Sequence, residues 1–234
     1  KIDLLITVDC GITSRDEAAA LKKAGTSVVI TDHHVPEEDL PPADAIVDPE
    51  LSGEKREPWK KLAGAGVIHT VLRGLFQNEL PGVMEPDLVA IGTVCDMVDL
   101  TGDNRILVRR GLESMAESPV PGVQALARES GADPKSLTSF DIGFGLGPRI
   151  NSAGRIAHAD SALELLLTDD PRRAAELASE LDALNRKRRE LDQMVSSQAL
   201  AELKGSTAPI ALASGNWHPG VIGISASRIA RTLN

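Results

Sequence analysis

The sequence predicts an α/β protein: a parallel-sheet domain, then a long linker helix, then the beginning of a second α/β domain. Three observations carry that prediction. An apolar run rich in β-branched residues, an alanine-rich stretch and a second β-branched run follow one another before Asp32. Strand, helix and strand within about thirty residues form a βαβ unit, which requires parallel strands. Residues 171–203 then give a helical pattern longer than most globular helices, dense in Ala, Leu, Glu and Arg, which reads as a connector between domains. Residues 208–213 are strand-like and open new architecture beyond it. The expected boundaries are 1–170, 171–204 and 205–234.

The elements follow in order. Residues 2–8 read as a strand ending at Asp9, and Ser14 is placed to cap a helix over 17–24 that Gly25 stops. Residues 26–31 form the next strand, ending at Asp32, and 45–47 a third short strand before Asp48 and Pro49. Residues 51–61 are polar and loop-like. A helix over 62–75 is entered through Ala63-Gly64-Ala65-Gly66, and apolar helices are expected over 87–98 and 106–116. From Ser139 the texture turns glycine- and proline-rich. Trp217-His218-Pro219-Gly220 precedes a last helix over 221–232. The loose Gly-x-Gly pairs, Gly64 with Gly66 and Gly143 with Gly145, are not dinucleotide fingerprints, since neither follows a strand directly in a βαβ unit.

Composition narrows the function classes. A hydrophobic content of 42% with 25% charged residues is ordinary for a globular chain. No apolar run reaches the roughly 18 residues of a membrane helix, and no signal segment opens the sequence, so no membrane association is expected. Cys10 and Cys95 are too few for a disulfide framework or a thiolate metal site and read as small core residues, which suits a reducing cytoplasm. The net charge of −9 argues against a uniformly basic nucleic-acid surface. It is unevenly spread: residues 1–141 sum to −10 and residues 142–234 to +1. An acidic half suits carboxylates offset by metal ions, and the more basic half suits an anion. Aromatics are only 2%, so base stacking has few candidates. The chain opens on Lys1 in a strand-like run and stops within a helical pattern, so it reads as a fragment of something longer.

Ligands of parallel sheets gather beyond the carboxyl ends of the strands. Asp9 ends one strand, and Asp32-His33-His34 ends the next. Carboxylate oxygen with imidazole nitrogen suits Mn²⁺ or Mg²⁺ better than zinc when thiolates are absent. A lone strand-end aspartate is more often a turn residue; the two sets at one edge favour a metal. Asp96 interrupts the apolar run 88–95 and reads two ways: a buried carboxylate needing a cation, or a helix-end residue at the surface, as Asp99 is expected to be.

The succession VDCG, TDHH, GTVCDMV, GPRINSAGR and NWHPGVIGISASRIA resembles the RecJ branch of the DHH phosphoesterase superfamily over essentially the whole chain. That resemblance implies a DHH-type domain, a DHH-associated domain begun near residue 205, and a two-metal centre using Mn²⁺ or Mg²⁺. By resemblance, Asp9 bridges the ions, His33 and Asp96 bind the same ion, His34 lies near the scissile phosphate, and Asp32 supports the pair. The family's first acidic motif has no match and would lie before Lys1, so the fragment alone is expected to be inactive.

Gly147–Arg155 adds two arginines and Asn151 in what reads as a glycine-bounded loop; Arg149, Asn151 and Arg155 are candidate phosphate donors. His218 and Arg228, at and below a helix start, are candidates for the same role. His158 is ambiguous, and His69 reads as structural. The function the resemblance implies is 5′-to-3′ exonuclease hydrolysis of single-stranded DNA to 5′-mononucleotides, in recombination and repair. A single-strand-binding protein and a helicase are its implied partners. Two alternatives stand beside it: an oligoribonucleotide or phosphonucleotide phosphodiesterase of the same superfamily, and a non-catalytic paralogue acting as a binding protein.

Overall fold

Valine and isoleucine, stiff at χ1 and suited to a pleated surface, make three short strands, β1 (Leu4–Val8), β2 (Ser27–Thr31) and β3 (Ala45–Val47). They pair in parallel in sequence order, with Leu4 opposite Ser27, Val8 opposite Thr31, and Thr31 opposite Val47. The computed structural model describes residues 2–52, 58–76, 86–117, 120–203 and 216–233. It divides into two compact units, one of Lys1–Ser118 with Lys135–Gly143, the other of Pro119–Pro134 with Phe144–Asn234.

The first unit is the mixed α/β part. Helix α1 (Arg15–Lys23) joins β1 to β2 and starts two residues earlier than predicted. Ser14 does occupy its N-cap, but its side chain makes no capping hydrogen bond, so the expected cap is positional only. Gly25, at φ +80°, ends the helix in the left-handed conformation that glycine adopts freely. Helices α2 (Gly64–Leu75), α3 (Pro86–Cys95) and α4 (Gly102–Met115) follow, and α2 packs against β1, β2 and α3, while α3 packs against α4. Val28 and Ile30 of β2, Val67 of α2, and Val89, Ala90 and Ile91 of α3 are buried. Two short 3₁₀ turns, Pro49–Leu51 and Pro58–Lys61, occupy part of the expected polar loop. Asp48 caps the first by accepting the Glu50 N–H at 2.8 Å.

The second unit is helical throughout its described residues: α5 (Pro121–Ser130), α6 (Gly147–Ile156), α7 (Asp160–Leu167), α8 (Pro171–Glu202) and α9 (Pro219–Leu233). A π-helical turn, Asp141–Leu146, leads into α6. Residues 147–155, read as a loop, are therefore a helix. Pro148 falls in its first turn, where the missing N–H costs no intrahelical bond, so the Gly-Pro texture marks a helix start.

Helix α8 begins where Asp170 accepts the Arg172 N–H at 2.9 Å and Pro171 opens the first turn. Its apolar residues Ala174, Leu177, Ala178 and Leu181, at one- to four-residue steps along one face, and farther along Val195 and Ala199, are buried. It packs against α5, α6, α7 and α9. The stretch read as a connector is thus the central element of a helical unit, and residue 170 lies within that unit. The strand expected over 208–213 lies outside the described residues.

Candidate metal centre

Because the β1–β2 register sets Val8 opposite Thr31, the residues after each strand, Asp9 and Asp32, emerge side by side at the carboxyl edge. The Asp9 N–H still donates to Thr31 O at 2.9 Å, and its backbone then turns to φ +64°. A left-handed conformation at a non-glycine residue is uncommon and tends to collect at functional sites. The other such residue among those described is Met97, at φ +62°, directly after Asp96.

Asp32 is 1% exposed and is surrounded by donors: the N–H groups of Ile12 (2.9 Å), His33 (2.8 Å) and His34 (3.3 Å), and Nδ1 of His34 (2.7 Å). Burial alone would raise its pKa; the bonds from Ile12, His34 and His33 outweigh that and hold the carboxyl below its usual range. The reciprocal bond from Asp32 raises His34, against a smaller opposing effect of burial. Asp32 therefore fixes the orientation of the histidine pair, and the Nδ1 contact leaves the Nε2 side of His34 to face elsewhere.

His33 occupies the middle of the cluster. Its Nε2 lies 3.0 Å from Asp9 Oδ1 and 3.4 Å from Asp96 Oδ2, and this buried nitrogen finds no hydrogen-bond partner among the described residues. The two oxygens are close to the nitrogen without lying along an N–H bond, as donors do when they converge on a common point. Asp9, His33 and His34 each present a ligand atom within 4.8 Å of the others. The geometry thus brings His34 into the donor set alongside the expected Asp9 and His33, with Asp96 reaching the set through His33.

Asp96 combines its two readings. Helix α3 ends at Cys95, short of the predicted residue 98, and Asp96 follows with its N–H on Gly92 O at 3.0 Å and its side chain 31% exposed. It is a helix-end residue, but it faces inward to His33. A carboxylate at a helix C-terminus opposes the macrodipole, at a cost of about 0.3–1 kcal/mol, so a nearby cation is electrostatically favoured there. Asp99, by contrast, pairs with Lys61 at the surface at 2.6 Å. Cys95 is half-buried, and its thiol is pushed up to about 11 by burial and by Asp96. Cys10 is exposed, against the expected core position, because it lies in the turn leaving β1.

Asp48, which the sequence reading does not single out as a site residue, lies at the same carboxyl edge. It ends β3 as Asp9 and Asp32 follow β1 and β2, and one of its oxygens is buried without a hydrogen-bond partner among the described residues. Burial pushes its carboxyl up, with Asp32 adding to the effect. The signal available was its position: every strand of the sheet is followed by an aspartate.

In the second unit the candidate phosphate donors separate. Arg149 is nearly buried, with Nη2 2.8 Å from Asp182 Oδ1 and Nη1 donating to Gly145 O at 2.8 Å. Its guanidinium finds these partners within the unit, where a phosphate contact was expected. Asn151 and Arg155 lie on the exposed side of α6, and Arg155 Nη1 reaches Gly220 O at 3.4 Å. His218 Nδ1 accepts the Gly220 N–H at 3.1 Å at the start of α9. Arg228 Nη2 meets Asp192 Oδ2 at 2.5 Å while half of its side chain stays exposed, and the buried Asp192 also accepts Ser225 Oγ at 2.8 Å. Arg188, donating to Asn185 Oδ1 at 2.8 Å, joins this region; burial lowers its pKa, as do the like charges of Arg189, Arg155 and Arg228. The sequence signal for it was the basic run 186–189. His158 is exposed, and His69 is held below its usual range by burial and by Arg73 and Arg110, consistent with a structural residue.

The Asp32–His34 pair has a pH signature. A histidine raised above its ordinary value of 6.5 contributes stability fully present below that value, which is lost as pH rises through the raised one. In the metal-free protein the His34 ring, followed by NMR, is expected to titrate above 6.5, and Asp32→Asn to bring the midpoint down. A midpoint at or below 6.5 in the unaltered protein would contradict this geometry.

Comparison with known proteins gives a consistent picture. Residues 2–93 match the DHH family, N-terminal domain. The chain is 42% identical to the single-stranded-DNA-specific exonuclease RecJ of Dickeya dadantii, over 97% of this chain and 43% of that protein. It superposes on the crystal structure of RecJ from Thermus thermophilus in complex with Mn²⁺ with a TM-score of 0.88, at 38% identity, covering 98% of this chain and 35% of that one. The Mg²⁺ complex of RecJ from the same organism gives a TM-score of 0.77 at 34% identity, covering 98% and 33%. The chain spans less than half the length of each of these proteins. Residues 2–93 thus resemble the DHH family, N-terminal domain, and nearly the whole chain resembles RecJ in sequence and structure.

Proposed function

We propose that the chain forms part of a metal-dependent exonuclease that hydrolyses single-stranded DNA in the 5′-to-3′ direction and releases 5′-mononucleotides, in recombination and repair. The observation that carries the proposal is the meeting of Asp9, His33 and Asp96 around a buried nitrogen without a hydrogen-bond partner among the described residues, at the carboxyl edge of a parallel sheet. The donor set fits a divalent cation: Asp9, His33 and His34, with Asp96 beside His33, offer carboxylate oxygens and imidazole nitrogens, and neither cysteine joins the set. Mn²⁺ or Mg²⁺ there would lower the pKa of bound water and stabilise charge on the phosphate oxygens.

The remaining assignments concern this chain's own residues. Asp9, His33 and Asp96 would hold the metal. Asp32 orients His34, which is positioned to donate to a phosphate oxygen when charged. Asn151, Arg155, His218 and Arg228 contact the DNA backbone. The likeness to RecJ extends the proposal to the cytoplasm as the place of action and to a single-strand-binding protein and a helicase as partners.

Two outcomes test this reading. With 3′-labelled single strands and saturating Mn²⁺, the intact exonuclease of which the chain forms part is expected to shorten long substrates processively, and its Asp9→Ala variant to retain under about a tenth of the rate. Cleavage confined to oligonucleotides of two to five residues would point instead to an oligonucleotide phosphodiesterase, and unchanged activity in Asp9→Ala would remove the metal assignment. Binding measured in Ca²⁺ separates the arginines. Arg155→Ala should flatten the log–log salt dependence by about 0.7 with little change in melting temperature. Arg149→Ala should chiefly lower melting temperature, since it removes the nearly buried pair with Asp182 and leaves that carboxylate to Arg186 alone. The reverse pattern would exchange their roles.

A further inference from the structure

The small-residue stretch that opens α2 has no part in the function so far, although both its neighbours in space belong to the candidate centre. Gly64, the first residue of α2, is buried against the Asp9 side chain. A methyl carbon at this position would stand 2.5 Å from Asp9 Cγ and 2.7 Å from Asp9 Cβ, and nearer still to Oδ1. Carbon atoms in contact keep about 3.5–4.0 Å, so no side chain fits at position 64 while Asp9 stays where it is. The next residue touches the other carboxylate's support. A methyl carbon on Gly92 would stand 2.6 Å from Ala65 Cβ, and Gly92 O receives the Asp96 N–H at 3.0 Å.

We infer that Gly64 is a positioning residue for the metal centre: its missing side chain lets the Asp9 carboxylate lie against the start of α2, at the distance from His33 that a shared ion requires. Residues 64 and 65 act together as a spacer between the end of β1 and the end of α3. Through them the separation of Asp9 and Asp96, the two carboxylates flanking His33, is set by close packing of the Asp9 side chain on Gly64 and of Ala65 Cβ on Gly92. The start of α2 also carries the positive end of the helix dipole, which favours an anionic Asp9. This inference rests on the reading of Asp9 as a metal ligand.

The test pairs a metal-binding readout with a stability readout. Mn²⁺ binding is followed by EPR in the unaltered protein, in Gly64→Ala, and in Gly74→Ala, a control on the same helix where nothing lies within 4 Å of an added methyl. Gly64→Ala should weaken Mn²⁺ binding at least tenfold, and Gly74→Ala should leave it unchanged. Thermal melting of metal-free Gly64→Ala is then compared in two backgrounds, unaltered and Asp9→Gly. A clash with the Asp9 side chain predicts a clear loss of melting temperature in the first and little loss in the second. Equal losses in both backgrounds, or unchanged Mn²⁺ affinity in Gly64→Ala, would overturn the inference. An unaltered protein that takes up no Mn²⁺ would overturn the metal reading itself, and the melting comparison would still decide the contact between position 64 and Asp9.

Discussion

The parallel pairing of β1 with β2, Val8 opposite Thr31, is the constraint from which the candidate centre follows. Side chains alternate faces along a strand, so a one-residue slip would turn every side chain over. It would also separate Asp9 from Asp32. The buried face of β2, with Val28 and Ile30 against the helices, pins that register. The same hydrophobic contact that stabilises the unit thereby holds two carboxylates at one edge. Burial of apolar area, at about 25 cal/mol per Å², is in this sense what opposes the repulsion among the acids.

The acids differ in what holds them. Asp32 is stabilised as an anion by four donors from its own loop and from Ile12, so it needs no metal. Asp9 and Asp96 face a histidine nitrogen that forms no bond to either. That contrast separates a carboxylate satisfied by its own loop from two that the proposed ion would satisfy. Left-handed backbone at Asp9 and Met97 costs about 1–3 kcal/mol each and is retained where the chain must turn these carboxylates inward.

Much of the first unit could be read from residues 1–100. The strands there are dense in valine and isoleucine, and a βαβ unit leaves few topologies open. The pairing of His33 with Asp9 and Asp96 could be anticipated only through strand ends and a family resemblance, since no local pattern measures a distance. What escapes a sequence reading has physical reasons. Gly147 and Pro148 are loop-formers by composition, yet proline in a first turn starts a helix, so composition alone hides α6. Helix α8 looks like a connector because its length and charge resemble an exposed helix, while its small buried stripe of alanines carries the contacts. Arg149 and Arg155 belong to one short segment and are alike in chemistry. Only their contacts tell them apart: Arg149 pairs with Asp182 and donates to Gly145 O, while Arg155 stays exposed.

The central claim is that Asp9, His33 and Asp96 form one divalent-metal site. Crystals soaked in Mn²⁺ and measured for anomalous scattering test it most directly. The account expects a strong peak within about 2.0–2.6 Å of an Asp9 oxygen and of His33 Nε2, lost in Asp9→Ala. A peak bound elsewhere, with His33 Nε2 left without a metal, would contradict it.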